Sequence, residues 1–193
     1  MKKTLQWDMT SAQRDFLPGR SARAAAQRAV DLLEVLLGSP SASDVQAVLE
    51  AHGETDVRLT SSDVASLREA ALDLREVFAA RDVAEAAGVL NRLLARYAHP
   101  PRLTDHDSGF GWHLHVDAAD DGPWGAWLVT SSALALAVLL ADRQALPGGL
   151  CAAAGCGKPF AHLGGGSPRR YCSTRCATRE RVAAHRRGGS RTP

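Results

Sequence analysis

Apolar side chains recur at three- and four-residue steps through most of the first hundred positions, the period of helices buried along one face. Ala26, Ala29, Val30, Leu33 and Leu37 predict a first helix over 22–37, ended by Gly38-Ser39-Pro40. Ser43 with Gln46 has the spacing of a capping box and predicts a short helix to about His52. Thr60-Ser61-Ser62 offers cap oxygens to a third helix carrying Val64, Leu67, Ala71, Leu74 and Phe78. A fourth runs from Val83 to Tyr97, with Ala87, Leu90, Leu94 and Tyr97 expected inward; the short join at Arg81-Asp82 makes the pair antiparallel.

After His99-Pro100-Pro101 the period changes to two. Arg102–Asp105 and Gly111–Asp117 read as strands of a hairpin around Asp107-Ser108-Gly109, with Trp112, Leu114 and Val116 on an inward apolar face and His113 and His115 on the other. Trp112, His113 and His115 are therefore candidate ligand-binding residues, although tryptophan is more often core and paired histidines more often surface. From Trp124 to Leu146 the pattern loses its polar side altogether, as a helix at the centre of a core would. Pro147-Gly148-Gly149 closes this region. The fold class expected is α+β: a mainly helical amino-terminal domain with one β-hairpin over 20–148, an arm over 1–19, a small module over 149–188 and a tail over 189–193.

Composition changes the picture at the far end. Apolar residues make up 45% of 193, enough for a real core, and the formal net charge is only +2. The average hides a division. Residues 151–193 carry nine Lys or Arg against the single acid Glu180, or +8, while residues 1–150 carry 14 bases against 20 acids, or −6. An acidic body with a basic module is a common plan for chains that meet nucleic acid. No apolar run follows Met1-Lys2-Lys3, so no signal peptide is expected, and the reading is a cytoplasmic chain with no membrane partner.

All four cysteines fall in the basic module, as Cys151-x4-Cys156, fifteen residues, then Cys172-x3-Cys176. Two thiolate pairs separated by a loop can converge on one tetrahedral Zn²⁺, and four sulfurs leave no position for a reactive water, so the ion would be structural. The module has few large apolar side chains besides Phe160, Leu163, Tyr171 and Val182, so metal would supply much of its folding energy. The segment between the pairs reads as a hairpin, 158–161 outward, Gly164-Gly165-Gly166 turning and 169–171 returning, followed by a helix that Ser173 caps. That order is treble-clef-like. On the helix Arg175, Arg179, Val182 and Arg186 share one arc, and Arg169, Arg170 and Arg187 extend the positive surface. These six arginines are the candidate nucleic-acid contacts, with double-stranded DNA the expected partner and Arg179 the candidate base reader. An interaction adaptor for an acidic protein and a zinc-thiolate redox sensor are the alternatives. No nucleophile–base pair, phosphate loop or paired carboxylates stand out, and an enzyme is not expected.

The module resembles the CGNR-type zinc finger. The resemblance rests on Cys151-x4-Cys156-Gly157, Phe160, Gly166-Ser167, Arg169-Arg170-Tyr171-Cys172-Ser173, Val182 and His185-Arg186. At the four positions that name the family stand Cys176-Ala177-Thr178-Arg179, so Ala and Thr replace Gly and Asn. Residues 20–148 resemble the ABATE domain that often precedes this finger, in helix order, in Val30-Asp31-Leu32-Leu33, in Leu90-Asn91-x-Leu93-Leu94, in the hairpin and in the last apolar helix. The resemblance implies a stress-linked transcription regulator whose first domain takes a small-molecule effector. A single finger covers few base pairs, so a homodimer is expected, joined through the helices at 22–37 and 124–146.

Overall fold

The computed structural model describes residues 18–54, 57–104, 112–119, 121–164 and 167–189. In chain order the elements are α1 (Pro18–Leu36), α2 (Ala42–Ala51), α3 (Ser61–Ala79), α4 (Val83–Tyr97), β1 (Arg102–Thr104), β2 (His113–His115), α5 (Trp124–Arg143), β3 (Gly148–Leu150), β4 (Pro159–Ala161) and α6 (Thr174–Gly189). The fold is α+β, with two small antiparallel sheets, β1–β2 and β3–β4. The expected arm at 1–19 lies outside the described residues up to Leu17; Pro18 and Gly19 already belong to α1, whose first turn tolerates proline because no N–H is needed there. Residues 190–193 of the tail also lie outside them.

Helix α5 is the axis around which α1, α3 and α4 pack. By length and composition it could cross a membrane, with mean hydropathy 1.8, but Leu128, Val129, Leu136 and Leu139 are buried against its neighbours. The helices α1 and α5, expected to join a dimer, bury part of their faces against one another. Gly125 permits the closest crossing: a Cβ there would lie 2.8 Å from the Ser66 carbonyl oxygen of α3. The helix stops at Gln144, in the left-handed region at φ 49°, three residues before the expected end.

The capping residues are shifted from the Ser43–Gln46 expectation. Ser41 caps α2 and Asp44 closes the box; Thr60 and Asp63 do the same for α3. An aspartate at the third helical position reaches back to the cap N–H, where Ser43 is already inside the helix. On α4 the buried stripe is Ala86, Val89, Leu90 and Leu93, one position out of phase with the expected one, and Leu94 and Tyr97 sit at its edge.

The facing of the first hairpin departs from the sequence reading at Trp112 and Leu114, while Val116 is buried as expected. Leu103 and Leu114 pair across the strands and point outward, 65% and 48% exposed, with Trp112 beside them at 70%. The imidazoles face the protein. Asp117 is buried behind them and draws them in: His115 Nδ1 is 3.0 Å from its carboxylate and Arg102 Nη2 donates to it at 2.7 Å. Burying that carboxylate requires cationic or N–H partners on its side, which overrides the apolar alternation. The turn expected at 107–109 lies outside the described residues.

The second sheet decides how the basic module sits. β3 and β4 pair with Gly149 opposite Phe160, so the hairpin encloses the first cysteine pair; the expected return strand at 169–171 is not one. A Cβ on Gly148 would lie 2.3 Å from the Phe160 carbonyl oxygen and 2.8 Å from the Phe78 ring of α3. Only glycine lets the strands and the helix approach this closely. Ala161 belongs to the main core, with Leu150 and Leu163 against it, and β4 contacts α1 while β3 contacts α3. The boundary expected at 148/149 therefore falls inside a strand wedged into the helical body.

Candidate metal centre and basic helix

Two elements carry the four sulfurs. Cys151 and Cys156 bracket the tight turn at the tip of β3–β4, where Cys151 N–H donates to the Lys158 carbonyl at 2.8 Å and Cys156 N–H to that of Ala153 at 3.0 Å. Gly155 and Gly157 both take positive φ, 69° and 63°, which lets the chain curl around the second thiol. Cys172 precedes α6 and Cys176 lies in its first turn, where the Ser173 hydroxyl accepts from the Cys176 N–H at 3.3 Å.

All four sulfurs lie within 4.8 Å of one another, and three of the distances are 3.8, 3.8 and 3.7 Å. A disulfide needs about 2.05 Å. A tetrahedron with Zn–S bonds of about 2.3 Å has edges of about 3.8 Å. The set fits one structural zinc ion. As bare thiols the site is at odds with itself: burial, with the other thiols next, pushes Cys172 up to about 12. Burial also pushes Cys151 upward, but N–H groups of Cys172 and Ala153 outweigh it and bring that thiol down to about 7. A divalent cation removes the conflict by stabilising every thiolate at once.

The helix that supplies Cys176 also grips the turn. Arg179 Nη2 donates to the Ala154 carbonyl at 3.1 Å and lies 3.9 Å from Cys176 Sγ. Glu180 accepts from the Ala154 N–H at 2.9 Å. Both backbone polar groups of Ala154 are thus held, by neighbouring residues of opposite charge. The guanidinium beside Cys176 offsets part of the negative charge of a zinc tetrathiolate.

The six candidate contact arginines divide accordingly. Arg169 donates to the Ala161 carbonyl at 2.6 Å and stacks on Phe160, and Arg179 serves the turn, so each spends a donor within the chain while remaining exposed. Arg170 is exposed, over the Tyr171 ring. Arg175, Arg186 and Arg187 are exposed on α6 as expected, and so is Arg181, which lies about 120° around the helix from Arg175 and so off the expected arc. Glu180 was legible as the module's only acid, a signal that marks an internal partner rather than a solvated charge. Trp112 lies on the opposite face of its hairpin from His113 and His115, so those three do not share a ligand-binding surface.

Contacts across to the body are polar at their rim. Arg143, at the end of α5, donates to the carbonyls of Leu163 at 2.8 Å and Gly164 at 3.2 Å, and to that of His162. His162 N–H donates to the Pro147 carbonyl at 2.8 Å, and Lys158 pairs with Glu34 of α1.

This is a zinc-binding finger built onto a helical body. The family model described as the CGNR zinc finger matches residues 149–188, the span from β3 through α6. Among curated proteins, none matches this chain.

Proposed function

We propose that the chain is a transcription regulator that contacts double-stranded DNA through α6, with the helical body an ABATE-type domain for effector sensing or assembly. The observation that carries this reading is the state of the charges on α6. Its one acid, Glu180, is turned into the finger, and Arg175, Arg181 and Arg186 are exposed with no acidic partner among the described residues. Zinc fixes the start of the helix, so those guanidiniums are presented on a rigid rod. Phosphates are the natural complement of such a surface. Four cysteines fill the tetrahedron, which suits binding rather than catalysis.

Anisotropy of a labelled duplex titrated with salt tests it. Binding should weaken steeply on a logarithmic salt axis, and Arg175→Ala, Arg181→Ala and Arg186→Ala should each reduce the slope by about one. Slopes that none of the three variants changes would favour an acidic protein partner instead.

A further inference from the structure

Val182 is 44% exposed in the middle of α6, on a helix whose other outward side chains are polar, charged or small. Nothing local explains it. A β-branched residue is a mediocre helix former, and neither the zinc site nor the core cluster around it uses this side chain. Its position explains more. At about 100° per residue Val182 lies roughly 20° around the helix from Arg175 and roughly 40° from Arg186. It stands about 10 Å along the axis from the first and about 6 Å from the second. An apolar side chain therefore occupies the centre of the positive stripe, with a cation on either side.

Resting on the DNA reading above, we infer that Val182 contacts the 5-methyl group of thymine, and that α6 selects A·T pairs at the centre of its footprint. In the major groove that methyl is the one apolar group on any base edge. Arg175 and Arg186 are placed to hold the flanking phosphates while the residue between them faces the bases. A hydrogen-bonding side chain in that place would read a donor or acceptor; valine reads a methyl.

The test uses the zinc-loaded full chain and two duplexes, one alternating adenine and thymine, the other identical but with uracil for thymine. The wild type should bind the thymine duplex about fourfold more tightly, the value of burying one methyl-sized group. Val182→Ser should abolish that preference while zinc content and salt slope stay unchanged. Equal binding of both duplexes by the wild type, or a preference that survives in Val182→Ser, overturns the methyl contact and leaves the DNA reading standing. Binding to neither duplex at low salt removes both.

Discussion

At the scale of single residues, Arg179 and Glu180 show how a surface-looking pair can be structural. Both sit on a polar helix, and both end on the Ala154 peptide. Replacing either with Ala should leave the turn around Cys151 and Cys156 less constrained and weaken zinc about fivefold each, as loss of one net hydrogen bond predicts. Competition with a chromophoric chelator measures it; unchanged zinc affinity in both variants would show that the sulfurs hold the turn unaided. The four ligands were legible because thiolate spacing is a nearly sufficient signal for a tetrahedral ion. The roles of Arg169 and Arg179 were not, because a sequence shows charge but not which backbone carbonyl lies within reach. Both are exposed, and each guanidinium spends a donor on a carbonyl of its own chain as well.

Among the elements, helix starts depend on short-range chemistry that can be checked directly. Asp44 and Asp63 titrate below the usual carboxylate value, because the Ser41 and Thr60 hydroxyls, and then the N–H groups of the same residues, stabilise the charged form. Depressed folded values mean that the caps add stability above the ordinary carboxylate range and lose it as pH falls through the folded values. Thermal melts from about pH 7 down to about pH 3 should therefore cost the wild type more than a Ser41→Ala, Thr60→Ala double variant. Near neutrality each substitution alone should cost about 1 kcal/mol. Equal pH profiles for the two proteins would mean the boxes do not hold in solution. The hairpin β3–β4 gives a sharper case. Gly148→Ala places a methyl against a backbone oxygen and a buried ring, neither of which can swing away. A loss of about 1–3 kcal/mol is expected in denaturant unfolding. Helices such as α4 were predicted with their ends intact, since a long apolar period there is bounded by the Arg81-Asp82 join and His99-Pro100-Pro101. The pairing of the first hairpin was legible but not which face turns in, because three-residue strands give alternation too little length to outweigh one buried carboxylate.

For the whole molecule, the finger and the body share a core, which the charge division along the chain gave no means of foreseeing. Zinc removal should therefore reach beyond the finger. Chelation is expected to raise amide exchange around Val30–Glu34 of α1 and at Phe78 of α3, which lie beside β4 and β3, while α4 keeps its protection. Exchange confined to residues 149–189 would show the hairpin holding its place without the ion. Cys172→Ser, which leaves three sulfurs, should give the same pattern.

The wedge of β4 between α1 and α3 also sets a timetable for synthesis. Five helices leave the ribosome before residue 161, but the groove that Ala161 fills stays open until β4 is made. The body is thus completed by a segment translated after all five of its helices, and that segment contains the cysteines that fit the ion. A polypeptide stalled or cleaved near residue 148 would present Phe78 and the neighbouring face of α1 to water. Proteases that survey exposed apolar surface would then clear fragments lacking the finger. Metal supply and synthesis of the finger would be read together, as a single mark of a folded body.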